Sequence, residues 1–365
     1  MPYNHQNRRD FLKLSLAASA LTGPLGALAA ANAKELAVAG YKYNHVQALV
    51  DGRVQIGDFS SQFQTGKISD LNTHVFSGPQ TLGVTEIGLL PFILAYANDD
   101  FRDYSLVPAF PFRMFRHKSI FIHTGRGIEK PQDLKGRRIG TPGYSSTSLT
   151  WIRGIMKDEY GVSPEDVEWV ISAADSSAKF GGKASKQEQV FPEDIRISVG
   201  PKGKDESDLL LDGEVDALFH AVEPRAFREG NPNVVRLFAD PQAIEKEYFR
   251  KTGIFPIMHA VAVKNELIEA YPTLPKAVFS AYSDAKSLGY QAMQSGWLFS
   301  TLPWYGQELE ETKETMGDNF WPYGIAPNEE TLSTLCRYAY DQGLARKLVT
   351  IEDLFHPSTL ELLEA

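Results

Sequence analysis

The sequence predicts an α/β protein with two lobes, each a mostly parallel sheet flanked by helices, and a ligand cleft between the lobes. Strand-like segments alternate with helix-like segments along most of the chain, which is typical of βαβ units. Polar side chains follow several of these strands, notably Glu86, Ser145 and the run from His220 to Arg225. Because ligands bind beyond the carboxyl ends of strands in such sheets, these positions predict one shared site.

Length and composition fit this class. The chain has 365 residues, of which 43% are hydrophobic and 23% are charged, so it can bury the cores of two domains. A net charge of -9 argues against nucleic-acid binding, which requires a basic face. Cys336 is the single cysteine, and its place in the helical pattern TLSTLCRYAY predicts a small buried side chain.

Residues 1–33 are predicted to be a twin-arginine export signal. The motif NRRDFLK at residues 7–13 precedes a modest apolar stretch and the small-x-small cleavage site ANA at residues 31–33. The apolar stretch is rich in small residues and broken by Pro24, so it is a poor membrane span. We therefore expect a periplasmic protein, exported already folded, with no membrane span after signal removal. The alternative is a disordered tail with a chance arginine pair.

The first half of the mature chain is predicted to place charged residues at strand ends. Predicted strands lie at residues 36–39, 54–56, 85–88, 105–110 and 119–122, with helices at residues 68–76 and from residue 89. Glu86 lies in the third of these strands, directly before a helix start. Arg113, Arg116 and His117 follow the fourth strand among aromatic residues, which makes the arginines candidates for a bidentate carboxylate clamp.

The stretch GTPGYSSTSLTWIR, residues 140–153, combines a strand end, a turn and the start of an amphipathic helix. Hydroxyl groups from Ser145 to Ser148 can accept hydrogen bonds from the first N–H groups of the helix. The remaining N–H groups and the positive end of the helix dipole then form a seat for an anion. Trp151 offers an aromatic wall, and Arg153 offers a fixed cation. The plainer interpretation is an ordinary strand–turn–helix unit with a good N-cap.

The second half is predicted to continue the α/β pattern and then to become helical. The helix at residues 147–160 ends at a C′ glycine, and strands follow at residues 168–170, 195–197, 214–219 and 254–263. From residue 272 helices dominate, with the loop FWPYG at residues 320–324 and a last helix at residues 331–343. Crossings near residues 120–140 and 250–262 would assign residues 34–137 and 257–365 to lobe 1 and residues 138–256 to lobe 2.

Several segments resemble known families. DLKGRRIGTPGYSSTS and LLDGEVDALF resemble the corresponding parts of type II periplasmic solute-binding proteins. More specifically, FPFRMFRHKSIFIHTGRGI, WIRGIMKDEYGV, YFRKTGIFPIMHAVAV, FWPYGIAP and LFHPST resemble the 4,5-dihydroxyphthalate decarboxylase family, whose fold is of that type. The resemblance extends from residue 36 to the C-terminus and implies two lobes with a hinge, the first lobe built from two separated segments. Residues 43–45 read Tyr-Asn-His where the family pattern leads us to expect Tyr-Asp-Arg.

Two functions are compatible with these features. The first is an exported solute receptor, paired with the permease of an ABC-type uptake system, that closes on a small anion such as an aromatic carboxylate. Hinge closure of this kind requires contacts that form only in the closed state. The predicted ligand contacts comprise cationic clamps, helix-start hydroxyls, aromatic walls and hydrogen-bond acceptors, namely Arg113, Arg116, Tyr144, Ser145, Ser146, Thr147, Trp151, Glu223, Arg225 and Tyr323.

The second function, implied by the resemblance, is a decarboxylase that releases carbon dioxide from a dihydroxy aromatic dicarboxylate. This chemistry needs a proton donor at the ring carbon, a base for the para hydroxyl and an arginine for the carboxylate that stays. The candidate proton carriers are His117, His220, His259 and Glu86. A lone histidine in a strand is, however, more often a hydrogen-bonded core residue.

The sequence predicts neither a metal nor any other cofactor. It contains no HExxH or CxxC motif, no tight group of His and Asp ligands, and no P-loop or GxGxxG motif. The export signal favours the receptor over the enzyme, because an enzyme of intracellular aromatic breakdown has little reason to be exported.

Overall fold

The computed structural model describes residues 34–72, 74–176, 185–298 and 300–364, so the predicted export signal at residues 1–33 lies outside the described residues. Within these ranges the predicted α/β class is confirmed, because helices flank two separate sheets. The strands are β1 Lys34–Gly40, β2 Phe59–Thr65, β3 Val84–Gly88, β4 Tyr104–Arg113, β5 Ile120–His123, β6 Arg138–Thr141, β7 Glu168–Ile171, β8 Ile197–Val199, β9 Ala217–Phe219, β10 Val234–Arg236 and β11 Ile257–Lys264. The helices are α1 Gln47–Val50, α2 Ile68–Leu71, α3 Leu89–Asn98, α4 Thr147–Tyr160, α5 Glu206–Leu211, α6 Arg225–Arg228, α7 Pro241–Thr252, α8 Asn265–Ala270, α9 Leu274–Ser295, α10 Tyr305–Met316, α11 Glu329–Asp341 and α12 Ile351–Leu354.

The first sheet has five strands in the order β2-β1-β3-β11-β4. Strands β1, β2 and β3 run parallel, whereas β11 lies antiparallel between β3 and β4. The register places His259 of β11 opposite Gly88 and Phe112. The pairing with β4 shifts on both sides of His259, and such irregularities re-aim side chains. The sheet thereby brings His259 to the end of β3, close to Glu86.

The second sheet has six strands in the order β10-β5-β9-β6-β7-β8. Strands β9, β6, β7 and β8 run parallel, so the loops that follow them open at the same edge of the sheet. Strand β5 is antiparallel to both of its neighbours, β9 and β10. Both sheets are therefore mixed, with parallel strands in the majority.

The chain passes from the first sheet to the second earlier than the sequence predicts. Strand β4 ends at Arg113 in the first sheet, and β5 begins at Ile120 in the second. The first crossing therefore lies before residue 120, and residues 120–137, which the sequence groups with lobe 1, contribute β5 to the second sheet. The return occurs after Arg236, through α7, and β11 begins at Ile257 as the predicted second crossing requires.

Three short segments differ from the predicted elements. Residues 54–56, predicted as a strand, form bends between Gly52 and Gly57, which both adopt positive φ angles of 76° and 56°. The two glycines turn the chain on both sides of this segment, and β2 begins only at Phe59. The helix predicted for residues 68–76 is restricted to Ile68–Leu71, and the strand predicted for residues 195–197 lies at Ile197–Val199.

Helix α4 begins and ends where the sequence predicts. The Ser146 side chain accepts a hydrogen bond from the Leu149 N–H group, and Gly161 adopts a φ of 65° after the last turn. A Cβ atom on Gly154 would lie only 2.1 Å from the ring of Tyr338 in α11. A glycine at this position therefore allows α4 to pack closely against the C-terminal helical region.

The main hydrophobic core includes side chains from both sheets, such as Val38 and Ile139. A smaller cluster lies where α5 and α6 pack on the second sheet. Cys336 is buried and unbridged, in agreement with the sequence. None of the helices in the described ranges combines the length and the apolar character needed to cross a membrane.

Candidate active site

Glu86 and His259 form the centre of the candidate active site, on neighbouring strands of the first sheet. His259 Nδ1 lies 2.6 Å from Glu86 Oε1, and the side chains of His259 and Glu86 are 17% and 2% exposed. Glu86 lies on β3 shortly before α3 begins. A carboxylate in this position holds an imidazole in one orientation and fixes which ring nitrogen carries the proton.

The segment after β1 holds the Glu86 carboxylate in place. The Tyr43 hydroxyl donates to Oε1 at 2.8 Å, and the Tyr41 backbone N–H donates to Oε2 at 2.9 Å. Burial, together with the negative charge of Glu86, raises the pKa of Tyr43, so this hydroxyl remains a donor at neutral pH. These two donors and the His259 imidazole compensate for the burial of the Glu86 charge.

The second ring nitrogen of His259 remains available to a ligand. No residue in the described part of the chain hydrogen-bonds to Nε2. The ring of Tyr41 stacks on the imidazole with 6.1 Å between centroids, and Phe112 meets it edge-on at 5.1 Å. Both aromatic residues are partly exposed. A titratable nitrogen between two rings can exchange a proton with a planar aromatic ligand.

Two helix N-termini meet beside this pair. Helix α3 follows β3 directly, and α4 begins at Thr147 in the segment that carries the second sheet. The Leu90 N–H donates to Thr147 Oγ1 at 3.1 Å, which joins the two helix starts. Ser146 caps α4 by accepting a hydrogen bond from Leu149. The positive ends of two helix dipoles therefore converge here, which favours the binding of negative charge.

Arg116 supplies a cation next to these helix ends. The side chain is buried, Nη1 donates to the Ala221 carbonyl at 2.7 Å, and the guanidinium contacts the sulfur atoms of Met114 and Met258. Ser148, in the first turn of α4, contacts the same Met258 sulfur. Among the described residues, no carboxylate pairs with Arg116, and its Nε has no hydrogen-bond partner. Burial lowers the pKa of Arg116 to about 9, which leaves it charged at neutral pH.

These parts bring a cation, an open imidazole nitrogen and two aromatic rings close together. Met258, which contacts Arg116, immediately precedes His259 in β11, so the cation and the open imidazole are held by adjacent residues. A buried guanidinium without a counter-ion is costly, and a ligand carboxylate would relieve that cost. The arrangement can hold one carboxylate at Arg116 while His259 Nε2 exchanges a proton with the ligand.

The other predicted arginine clamp, Arg113, is already engaged. Its Nη2 donates to the Pro322 carbonyl at 2.7 Å and to Asn328 Oδ1, and its Nη1 donates to the Phe255 carbonyl at 3.3 Å. The guanidinium therefore anchors the loop that contains Pro322 and Asn328. Among the described residues, the Nε of Arg113 has no hydrogen-bond partner, and the same holds for the Nε of Arg116. Arg116 differs in its place beside the start of α4, because Arg116 and Ser148 both contact the Met258 sulfur.

Residues of the predicted turn before α4 face the core. Ser145 Oγ accepts a hydrogen bond from the Val190 N–H at 2.9 Å, which fixes a neighbouring loop. Tyr144 is fully buried, with the Arg153 guanidinium 3.7 Å above its ring centre. These residues hold the turn, and the structure does not bring them to His259.

The two predicted stacking walls are also core residues. Trp151 is fully buried, and its Nε1 donates to the Ile257 carbonyl at 3.0 Å, so it ties α4 to β11. Tyr323 is buried edge-on to Phe110, and its backbone N–H donates to Glu364. The rings that contact the His259 imidazole are those of Tyr41 and Phe112.

Glu223 and Arg225 both lie in ion pairs with other residues of the chain. Glu223 contacts Arg236 at 2.5 Å. Arg225 contacts Asp205 at 2.9 Å and Asp208 at 2.6 Å. Carboxylates of the protein therefore already pair with the Arg225 guanidinium.

His117 lies in an aromatic surrounding in the second sheet region. Its ring is buried near Tyr160, Tyr248 and Phe238, and neither nitrogen has a hydrogen-bond partner within the described ranges. Burial lowers the pKa of His117 to about 4. The structure therefore makes it a neutral core histidine, separate from Glu86 and His259.

His220 belongs to a different polar group. Its Nε2 lies 3.2 Å from Glu206 Oε1 and 3.5 Å from Asp175 Oδ1. Burial would lower the pKa of His220, but the two carboxylates outweigh burial and raise it to about 9. The sequence shows no tight ligand spacing here, yet the fold places a ligand atom from each of these residues within 4.8 Å of the others.

Sequence reasoning missed four residues that shape the site. The role of Tyr43, which donates a hydrogen bond to Glu86, could have been predicted from the sequence. Tyr43 follows β1, which runs parallel to β3 and ends at the same edge of the sheet. Tyr41 had the same signal. Phe112 and Met258 had none, since their places depend on the irregular pairing of β4 with β11.

Comparisons with known proteins give related sequences along most of the chain. A family model described as NMT1/THI5 like matches residues 115–185. A 4,5-dihydroxyphthalate decarboxylase from Comamonas testosteroni is 32% identical over 328 residues, which cover 90% of this chain and 98% of the relative. A protein of the same name from Pseudomonas putida is 32% identical over 219 residues, covering 60% of this chain and 83% of the relative.

A solved structure supports the predicted architecture. It is described as a periplasmic sulfonate-binding protein of an ABC transporter from Methylobacillus flagellatus, and it superposes with a TM-score of 0.55. The match covers 90% of this chain and 93% of the other at 12% identity. At that identity the likeness shows the fold alone, and it confirms the predicted type II periplasmic-binding-protein architecture.

Proposed function

The chain belongs to the 4,5-dihydroxyphthalate decarboxylase family, and on that premise we propose that it is a carboxy-lyase acting on a hydroxylated aromatic dicarboxylate. The observation that carries the proposal is the Glu86–His259 pair, with 2.6 Å between Oε1 and Nδ1 and with Nε2 open to a ligand. General acid catalysis requires such an oriented proton carrier, whereas a protein that only binds a solute does not.

Substrate binding follows from the cation and the aromatic rings. The carboxylate that stays on the ring binds to Arg116 and to the first N–H groups of α4, where a helix dipole and a guanidinium act together. The aromatic ring then lies along Tyr41 and Phe112. This pose presents the other carboxylate, and the ring carbon that carries it, to His259.

The reaction proceeds by protonation of the ring. His259 as an imidazolium donates its Nε2 proton to the ring carbon that bears the departing carboxylate, and a para hydroxyl supplies electron density to that carbon. The carbon–carbon bond then breaks, its electron pair returns to the ring, and carbon dioxide leaves. Glu86 positions the imidazole and stabilises its charged form. A proton from solvent restores His259.

The test uses purified protein with 4,5-dihydroxyphthalate, and with phthalate as a substrate that lacks the hydroxyl groups. We expect carbon dioxide release from the first compound only. His259→Gln should lower kcat by about 10²- to 10⁴-fold with little change in KM. The control His74→Gln removes an exposed histidine and should keep full activity. Carbon dioxide release that persists in His259→Gln would refute the assigned role, and no release from the unaltered protein would refute the enzyme.

A second candidate function is an exported receptor for a small anion, of an ABC-type uptake system. The fold match to a sulfonate-binding protein favours it, together with the uncompensated Arg116 at two helix starts. In this proposal residues 1–33 direct the folded chain to the periplasm, and the lobes close on the ligand. Thermal stabilisation by phthalates without any carbon dioxide release would select the receptor. A variant with both Arg8→Lys and Arg9→Lys tests the export signal. We expect cell fractionation to find this variant in the cytoplasm.

A further inference from the structure

Asp175, Glu206 and His220 meet at one edge of the second sheet, apart from the Glu86–His259 pair. Strands β7 and β9 lie on either side of β6 and run parallel to it, so the loops that follow them open at the same edge. Asp175 follows β7, and His220 directly follows β9. Glu206 is the first residue of α5. Three separate segments thus contribute one side chain each.

The three side chains direct their ligand atoms to a small volume. His220 Nε2 lies 3.2 Å from Glu206 Oε1 and 3.5 Å from Asp175 Oδ1. The side chains of His220 and Glu206 are fully buried, whereas that of Asp175 is 35% exposed. The group is therefore closed on its inner side and accessible to an ion from solvent on the Asp175 side.

The imidazole is oriented like that of a metal ligand. His220 Nδ1 lies 2.6 Å from the Val222 carbonyl, which can only accept a hydrogen bond, so Nδ1 carries a proton and Nε2 faces the carboxylates. Although Nε2 is buried, no hydrogen bond of normal geometry satisfies it within the described residues. Two carboxylates directed at Nε2 need a positive charge between them, which a proton on Nε2, or a metal ion in its place, can supply.

Hydrogen bonds from Ser176 fix the orientation of the Glu206 carboxylate. The backbone N–H of Ser176 donates to Oε2 at 3.2 Å, and the Ser176 hydroxyl donates to Oε1. Hydrogen bonds of this kind set the direction of a ligating carboxylate. The donor set, one imidazole nitrogen and two carboxylate oxygens, is one that divalent zinc or manganese accepts.

We propose that Asp175, Glu206 and His220 bind a divalent transition-metal ion, with zinc as the preferred ion, at a site that takes no part in the carboxy-lyase chemistry. The metal has a structural role in the loop after β9. His220 precedes Ala221, whose carbonyl accepts the hydrogen bond from Arg116. Metal binding would therefore fix the backbone that orients the anion-binding guanidinium.

The experiment measures zinc binding by untagged protein that has been dialysed against a chelator. Equilibrium dialysis should give one zinc ion per chain, and zinc at about one hundred times its Kd should raise the melting temperature by several degrees. Asp175→Asn, at a partly exposed position that tolerates the change, should weaken zinc binding at least tenfold. Glu206→Gln should do the same, and the control His74→Gln should bind zinc as the unaltered protein does.

Each outcome decides the proposal. No stoichiometric zinc or manganese binding by the unaltered protein would overturn it and would leave an imidazolium–carboxylate cluster only. Equal zinc affinity in Asp175→Asn would place the ion elsewhere and would also overturn it.

Zinc should in addition strengthen the binding of phthalate, and this effect should be absent from Asp175→Asn. An unchanged phthalate affinity would overturn the structural link to Arg116, independently of whether the protein proves to be an enzyme.

Discussion

Arg116 is a buried guanidinium that the fold leaves without a carboxylate partner among the described residues. Its contacts are the Ala221 carbonyl and the sulfur atoms of Met114 and Met258. Replacing an uncompensated buried charge with an apolar side chain of similar volume removes its desolvation cost. At this position stability and ligand binding therefore oppose each other.

We expect Arg116→Met to raise the free energy of unfolding of the ligand-free protein by about 1–3 kcal/mol. The same variant should lose the stabilisation by phthalate, because the ligand carboxylate no longer meets a cation. Thermal melting with and without phthalate measures both effects. The control Arg225→Met breaks ion pairs with Asp205 and Asp208, so it should lower stability and keep the phthalate response. A loss of stability in Arg116→Met would contradict the assignment.

His117 should make the protein sensitive to mild acid. Its pKa is lowered by burial from 6.5 to about 4, so between these values the unfolded chain binds more protons than the folded one. Stability should therefore fall as the pH decreases from 6.5 to 4, by about 3 kcal/mol in total. In His117→Leu this part of the pH dependence should disappear, as measured by urea unfolding across the range.

His45 acts in the same direction and remains in that variant. Its pKa is also lowered to about 4, chiefly by burial, so a smaller slope should persist in His117→Leu. Identical pH profiles for the variant and the unaltered protein would show that His117 is not held neutral in the core.

At the scale of elements, the end of β1 approaches β3 so closely that the Glu86 carboxylate has little room. A Cβ on Gly40 would lie 3.1 Å from Glu86 Oε2 and 3.2 Å from the Phe63 ring. Tyr41, the next residue, donates its backbone N–H to the same Glu86 oxygen. A glycine thus lets the β1 end supply a donor without displacing the acceptor.

Gly40→Ala should therefore shift Glu86, and with it His259. We expect kcat to fall by about tenfold or more, since displacements near 1 Å can cost about 10²-fold. The cost in stability should be about 1–3 kcal/mol. Gly306→Ala is the matched control, because a Cβ there meets nothing within 4 Å. If the two substitutions had equal effects on kcat, close packing at Gly40 would not position the pair.

At the scale of the whole molecule, the C-terminus anchors the helical region beneath the site. Glu364 Oε2 lies 2.6 Å from Lys286 Nζ in α9 and also accepts hydrogen bonds from Asn319 and from the Tyr323 backbone. The side chains of Lys286 and Glu364 are 5% and 12% exposed. One carboxylate near the chain end therefore joins α9 to the loop that Arg113 also holds.

Glu364→Gln should lower the free energy of unfolding by about 3 kcal/mol, because it leaves Lys286 buried without its counter-charge. Glu361→Gln, at an exposed position close by, should change it by less than about 0.5 kcal/mol. Urea unfolding of both variants measures the difference. Equal stabilities would mean that the C-terminal anchor contributes nothing beyond a surface contact.

The sequence alone determined the features that depend on near neighbours in the chain. The alternation of strands and helices gave the fold class, and the capping of α4 by Ser146 with the stop at Gly161 gave its bounds. It also placed Glu86 at a strand end before a helix start. These follow from backbone hydrogen bonding and from the periodicity of apolar residues, which act over a few residues.

Only the tertiary structure decided which of the candidate residues form a site. Glu86 and His259 are 173 positions apart, and they meet because β11 inserts between β3 and β4. Arg113 and Arg116 look alike in the sequence, yet the fold directs Arg113 to the carbonyl groups of Phe255 and Pro322 and directs Arg116 to Met258, beside His259. Side-chain partners depend on strand order and register, and these long-range pairings have no local or periodic signal in the chain.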